Sequence, residues 1–372
     1  MPSLRDFARG QLARTAQQSL TRTVRETERL GRTRVRRGGQ DYVSFSCNDY
    51  LGLTHHPEVI AAARAALERY GTGAAASRLV TGSHPLYAEL ERLLAELKGT
   101  EAARVFGSGY LANLGVIPAL VGKNDLVLAD RLCHACMYDG ARLSGATLLR
   151  FAHNDLEHCR ELLEEHRARF ERCLILTETV FSMDGDRGPV EDLMGPARAW
   201  DAWLMTDDAH GLGTCPAIAA DVQMGTLSKA VGSYGGYVCG SSELIAWLDN
   251  RARSLLFATG LPPASVAAAT AALRIIRADP ELRQKPLEHA RRFTTALGRP
   301  PAASPIVPVI VGEAERALAA SAMLERHGLL VVAIRPPSVP PGTARLRFTF
   351  SALHEPEPIE RAAALLKEQG YA

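Results

Sequence analysis

Between residues 103 and 239 the chain alternates short apolar runs with helix-length segments, and this alternation restricts the fold more than any other feature of its 372 residues. Strands are predicted at Ala103–Phe106, Leu126–Ala129, Thr147–Phe151, Leu174–Thr177, Ala202–Thr206, Val222–Gly225 and Tyr237–Cys239. Helices are predicted between them at about 110–121, 135–144, 155–169 and 190–200. Strands joined by helices make a mostly parallel sheet covered on both faces. Ligands of such a sheet bind outside the carboxyl ends of its strands, so side chains just after each strand are the first candidates for function.

Flanking this region, Leu4–Arg29 reads as a helix with a basic face. Arg36-Arg37-Gly38-Gly39-Gln40-Asp41 reads as a hairpin turn into the strand Tyr42–Phe45. Pro57–Tyr70 is a predicted helix. Another starts at Ser83-His84-Pro85, carries Leu86, Leu90, Leu93, Leu94 and Leu97 on one stripe, and stops at Lys98-Gly99. Two long helices follow at Ser242–Phe257 and Pro263–Ala278, and Asp279-Pro280 marks a boundary. Beyond it lie strands at Ile306–Val311, Leu330–Ile334 and Arg345–Phe350, a helix running to His327, and a last helix. The expected organisation is an N-terminal helix and hairpin segment over 1–46, a large domain over 47–279 and a small α/β domain over 280–372.

Composition narrows the class. The chain is 47% hydrophobic and 23% charged, as in ordinary globular proteins, and a net charge of +2 makes no general case for nucleic acid or membrane as partner. No apolar run is long enough to span a bilayer. Met1–Leu20 is arginine-rich, as transit peptides are, but lacks the apolar centre of a secretory signal and reads as an amphipathic helix. Seven scattered cysteines suit a reduced, cytoplasmic protein rather than a disulfide scaffold. Cys133-His134-Ala135-Cys136 has redox or metal spacing but no second pair, so no metal is expected there.

Four motifs fall at predicted strand ends. Gly107-Ser108-Gly109-Tyr110 opens a helix, and small residues at a helix N-terminus let backbone amides approach an anion. Asp130–His134 follows the next strand and places an imidazole in the same layer. Thr177–Asp186 follows with Ser182, in a loop that also contains the turn signal Asp184-Gly185. Asp207-Asp208-Ala209-His210 then closes Ala202–Thr206, ahead of Thr226-Leu227-Ser228-Lys229. Most lysines are solvated surface groups. Here a strand-end carboxylate, a histidine three residues on, and a lysine flanked by hydroxyls suit pyridoxal phosphate held as a Schiff base. The carboxylate would keep the pyridine nitrogen protonated, which makes the ring an electron sink.

With those residues in hand, the chain resembles the α-oxoamine synthases, PLP-dependent enzymes of the type I (aspartate aminotransferase-like) fold. The likeness runs through Asn48–Leu53, Gly71–Gly82, Gly107–Asn113, Asp130 with His134, Thr177–Asp186, Asp207–Gly211, Thr226–Lys229 and Gly260–Pro263. Ala333–Arg347 and Phe151–Asp155 resemble the branch that uses L-alanine and a pimeloyl thioester. The resemblance implies the cofactor pyridoxal 5'-phosphate, with Lys229 as the Schiff-base lysine and proton shuttle. It implies Asp207 at the pyridine nitrogen, His210 at the ring oxygen and His134 on the ring face. It places Ser108, Gly109, Tyr110, Ser182 and Thr226 around the cofactor. Arg335 and Ser338 would face the substrate, Arg335 at a carboxylate, with Arg22 on the acyl substrate. It also implies a homodimer with shared sites, Thr259 serving the partner's phosphate.

The pattern departs in two places. His210 to Thr226 is short, with Thr214–Ala220 in place of a glycine- and arginine-rich loop, and Arg291–Pro305 is short as well. The alternatives are a family member using glycine with acetyl-CoA or serine with a long acyl chain, and a catalytically silent partner protein of the same fold.

Overall fold

The structure, a computed structural model, describes residues 2–371. In chain order the first elements are α1 (Leu4–Gln17), β1 (Glu28–Gly31), β2 (Arg34–Arg37), β3 (Gln40–Ser44), α2 (Pro57–Tyr70) and α3 (Leu86–Lys98). Then come β4 (Ala102–Phe106), α4 (Gly109–Leu120), β5 (Leu126–Asp130), α5 (Ala135–Ser144), β6 (Thr147–Phe151), α6 (Leu156–His166), β7 (Cys173–Glu178) and α7 (Val190–Ala199). They are followed by β8 (Trp203–Asp207), β9 (Val222–Thr226), β10 (Gly236–Gly240), α8 (Ser242–Arg251), α9 (Arg253–Leu256), α10 (Pro263–Ala278) and α11 (Pro280–Leu297). The last are β11 (Ile306–Gly312), α12 (Ala314–Arg326), β12 (Leu329–Leu330), β13 (Val332–Ile334), β14 (Ala344–Thr349) and α13 (Pro356–Glu368). The chain divides into two compact units. The larger takes Asp49–Ser182 and Asp186–Lys285, and the smaller takes the chain up to Asn48, Met183–Gly185 and the chain from Pro286.

The larger unit is a seven-stranded sheet in the order β4-β10-β9-β8-β7-β5-β6. Strands β9, β8, β7, β5 and β6 run parallel, and β10 is antiparallel to both β4 and β9. This is the mostly parallel α/β sheet expected from the alternation. Successive side chains of a strand point to opposite faces, which explains the unbroken apolar runs. In β5, Val127 and Ala129 join a core with Val116, Ile117 and Met137 of α4 and α5. Leu126 and Leu128 join a second core with Leu163 of α6 and Leu193 of α7. Every residue of β5 is buried.

The smaller unit holds a sheet in the order β1-β2-β3-β12 and another in the order β11-β14-β13. Its centre is aromatic. The rings of Phe45 and Phe348 lie 5.7 Å apart and those of Phe293 and Phe348 4.5 Å apart. His354 stacks on Phe45 at 4.4 Å, and burial pushes its imidazole down to about 4, so it sits in this core uncharged.

Three predicted elements differ from those found. The first helix ends at Gln17 rather than Arg29, with Ser19 at a positive φ of 54°, and Glu28–Gly31 becomes a strand on β2. The hairpin with β2 decides this segment, because its polar residues suit helix or edge strand about equally. The predicted helix Ser242–Phe257 breaks at Ala252, whose extended backbone separates α8 from α9. The predicted strand Leu330–Ile334 serves two sheets. Leu329–Leu330 pairs parallel with β3, and Val332–Ile334 pairs antiparallel with β14.

One buried ion pair ties α3 beneath the sheet. Lys98 Nζ lies 2.8 Å from Asp208 Oδ2, with the two side chains 3% and 5% exposed. Thr179 donates to Asp208 Oδ1 at 2.5 Å. Removing one partner of a buried pair leaves the other charge uncompensated. Lys98→Met is therefore expected to cost about 3–5 kcal/mol in a urea-unfolding measurement. A loss under ~1 kcal/mol would mean that the pair is not holding the sheet.

Candidate active site

The carboxyl ends of β4, β5, β7, β8 and β9 share one edge of the large sheet, as their registers require. Ser108 follows β4 and caps α4, its hydroxyl accepting the amide of Leu111 at 3.2 Å. The amides of Gly109 and Tyr110 precede the first intrahelical hydrogen bonds, so they are open to an anion. Two neighbours close this corner. A side chain at Gly109 would meet Thr226 Cβ at 3.4 Å, and one at Gly236 would collide with the Ser108 carbonyl. Thr226 Oγ1 lies 2.8 Å from Ser228 Oγ and donates to the Gly235 carbonyl at 2.8 Å. Two hydroxyls and a helix N-terminus thus face one small space.

Asp207 ends β8, buried, with Oδ1 accepting the Ala209 amide at 2.9 Å and Oδ2 accepting Asn113 Nδ2 of α4 at 3.1 Å. Burial pushes its carboxyl up. The nearby Lys229 amine, the Ala209 amide, His134 and Asn113 act against that rise. Glu178 ends β7 directly beside Asp207 in register and is also buried. Burial, then the Asp207 charge, pushes Glu178 well above the usual carboxylate range, while the amides of His134 and Ser182 donate to it. A cation set against Asp207 would relieve this crowding of acids. A protonated heterocyclic nitrogen supplies such a charge, and the hydroxyl-lined corner suits its phosphate. The residues present fit pyridoxal phosphate on these grounds.

His210 lies within hydrogen-bond distance of Tyr50, whose hydroxyl is 2.7 Å from Nδ1. His134 caps α5, with Nδ1 accepting the Cys136 amide at 3.3 Å. Lys229 is half-buried, and Ser182 is buried. Lys229 and His134 both act electrostatically on Asp207, so the structure brings these predicted residues together. Thr259 is exposed and bridged to Ser77, and it lines a small pocket with Gly107. Arg22, Arg335 and Ser338 lie in the smaller unit and line a cavity of about 700 Å³. There Arg22 donates to Ser338 Oγ at 3.1 Å, and Arg335 donates to the carbonyls of Ser19 and Thr21.

Sequence reasoning missed Asn113, Glu178 and Tyr50 as individual groups, though each lies inside a quoted motif. A buried-side asparagine in an apolar helix was the available signal for Asn113. The reasoning also gave no part to His153. That ring lies 3.0 Å from Asp130 Oδ1 through Nδ1 and 2.7 Å from Asp186 Oδ2 through Nε2, edge-on to Phe181. Asp130 in turn accepts the Leu132 amide at 2.8 Å, two residues before His134, so one imidazole clasps the His134 and Ser182 loops.

Burial alone would lower His153, but the two carboxylates outweigh it and push the imidazole up to about 10. A raised histidine stabilises in full below its unfolded value of 6.5, and that contribution disappears as pH rises through about 10. His153→Gln should therefore lower Tm at pH 6 by roughly 3–6 °C. The deficit should shrink steadily toward pH 10; an unchanging deficit would mean that the clasp is not ionic.

Comparisons with known proteins bear on the family of the chain. The aminotransferase class I and II family model matches residues 40–366. The 8-amino-7-oxononanoate synthase of Methylobacterium sp. (strain 4-46) is 60% identical over 371 residues, covering 100% of this chain and 98% of that protein. The 8-amino-7-oxononanoate synthase of Methylobacterium nodulans is 59% identical, again over 100% of this chain and 98% of its own length. Among solved structures, Sphingomonas wittichii serine palmitoyltransferase superposes with a TM-score of 0.92 at 30% identity, covering 100% of this chain and 98% of that one. With the family model matching most of its length and relatives this similar over the whole of it, the chain belongs to the class I and II aminotransferase family.

Proposed function

We propose that this protein is a pyridoxal 5'-phosphate-dependent acyltransferase. It condenses L-alanine with a pimeloyl thioester and yields 8-amino-7-oxononanoate, CO2 and free thiol, a step of biotin synthesis in the cytoplasm. The observation that carries this reading is the 60% identity across the whole chain to a protein named 8-amino-7-oxononanoate synthase. The likeness to serine palmitoyltransferase covers the whole chain too, but at half that identity. A panel of alanine, serine and glycine against pimeloyl, palmitoyl and acetyl thioesters separates the two readings. No helix among the described residues is long and apolar enough to cross a membrane.

When bound, pyridoxal phosphate supplies an electron sink for negative charge at the amino-acid α-carbon. Lys229 Nζ would hold it covalently, and its amine would move the proton at the alanine α-carbon. Asp207 would hold the proton on the ring nitrogen. His210, within hydrogen-bond distance of Tyr50, would bond the ring oxygen. Ser108, Gly109, Tyr110, Ser182 and Thr226 complete the shell. His134 would cover the ring face and would donate a hydrogen bond to the oxygen that gains charge as the thioester carbonyl is attacked. Arg335 orients the carboxylate that leaves as CO2, and Ser338 and Arg22 serve the acyl substrate.

We also place the enzyme as a homodimer, with Thr259 of one subunit at the phosphate of the other. The exposed Leu79, Val80 and Phe257 support this reading, since Leu79 and Val80 lie on the turn Arg78–Gly82 that follows the Ser77–Thr259 bridge.

Two outcomes test this function. Lys229→Ala should abolish both turnover and the borohydride-reducible adduct; a variant that keeps either removes the lysine from its role. Arg335→Ala should bind the cofactor normally, keep its Tm, and lose about 2–5 kcal/mol in kcat/KM for alanine. Parallel losses of Tm and cofactor would instead make Arg335 a structural group.

A further inference from the structure

Beneath His134 lies a chain of contacts that the proposed reaction leaves unused. Cys136 Sγ is 2.8 Å from His134 Nδ1 and 2.9 Å from Asn113 Nδ2. The same Asn113 Nδ2 donates to Asp207 Oδ2 at 3.1 Å. Asn113 and Cys136 are 0% and 2% exposed. The four side chains therefore link the group on the face of the site to the carboxylate at its base.

The proton positions follow from donor and acceptor counting. An asparagine amide has two N–H donors on one nitrogen, and here one meets the thiol sulfur and the other the Asp207 carboxylate. Turning the amide over would aim its oxygen at a carboxylate, so this orientation is forced. With one sulfur lone pair occupied by Asn113, the remaining partner of Cys136 is His134 Nδ1. That nitrogen already accepts the Cys136 amide at 3.3 Å, so it carries no proton of its own. The thiol keeps its proton, because burial, then the Asp207 charge, pushes it up to about 12. The S–H then points to Nδ1, and the imidazole proton belongs on Nε2.

We propose that Cys136, braced by Asn113, is a positioning residue that fixes His134 as the Nε2–H tautomer and so makes it a hydrogen-bond donor. Its part in catalysis rests on the reading above, in which His134 donates to the developing oxyanion. A Nδ1–H imidazole would present a bare Nε2 lone pair to that oxygen and repel it. The thiol contributes no nucleophile and no redox step.

The test uses full-length protein labelled with 15N-histidine and freed of cofactor. The chain has 11 histidines, so the His134 signal is assigned by its loss in His134→Gln. Long-range 1H–15N correlation should show protonated Nε2 at His134 in the parent protein. Cys136→Ala keeps only the longer backbone-amide contact to Nδ1 and should give a mixture of tautomers, and Cys136→Ser, which keeps a hydroxyl donor, should restore the parent pattern. In the holoenzyme, Cys136→Ala should lower kcat by about five- to tenfold, the worth of one hydrogen bond, with the alanine KM within about twofold. Cys136→Ser should recover most of that loss, and the Tm values of both variants check the fold. Protonated Nδ1 in the parent protein, or an unchanged tautomer in Cys136→Ala, overturns the assignment. A changed tautomer with unchanged kcat overturns its role in the reaction. If the parent protein shows the expected tautomer but performs no condensation, the proposed function fails while the assignment stands.

Discussion

Two consecutive carboxylates at the end of β8 organise the larger unit. Side chains leaving an extended strand alternate in direction, and here the alternation assigns the two acids to different partners. Asp208 goes to Lys98 of α3 and Thr179, where a cation and a hydroxyl satisfy it. Asp207 goes the other way, to Asn113 of α4 and toward Lys229. Burial penalises both carboxylates, but only Asp208 has a buried full ion pair as compensation. The remaining electrostatic demand at Asp207 would favour a cation beside it.

The parallel register then multiplies the effect. Because β7 and β8 run together, Glu178 falls beside Asp207, and the pair shares one apolar surrounding. Glu178 accepts the amides of His134 and Ser182 on one oxygen, so it ties down the loops after β5 and β7. His153 fastens the same two loops from the outside through Asp130 and Asp186. A histidine held cationic between two acids and a glutamate pushed toward neutrality thus do related work by opposite electrostatic means. Each positions backbone next to a candidate site residue.

The outline of the sheet was legible because its information is local. Apolar runs such as Leu126–Asp130 and Cys173–Glu178 are buried on both faces and carry that fact in their composition. The strand-end acids, hydroxyls and glycines were legible for the same reason, since a parallel sheet exposes its chemistry at one edge. Elements with a non-local cause were not legible. Leu329–Ile334 is divided because two different sheets claim its halves. Asn113 reads in sequence as one polar residue in an apolar helix, yet its partners Cys136 and Asp207 lie 23 and 94 positions away.

By itself the sequence determined which chemistry was available: a lysine among hydroxyls, a strand-end carboxylate, an imidazole and a small-residue helix entry, all in an alternating α/β pattern. These depend on residue type and spacing, which a linear chain displays. Only the tertiary structure decided how protons and charges are distributed among those groups. The pairing of Asp208 with Lys98, the crowding of Glu178 against Asp207 and the thiol beneath His134 arise when distant segments share a volume from which water is excluded. There a neighbour a few ångströms away outweighs the intrinsic preference of the side chain itself.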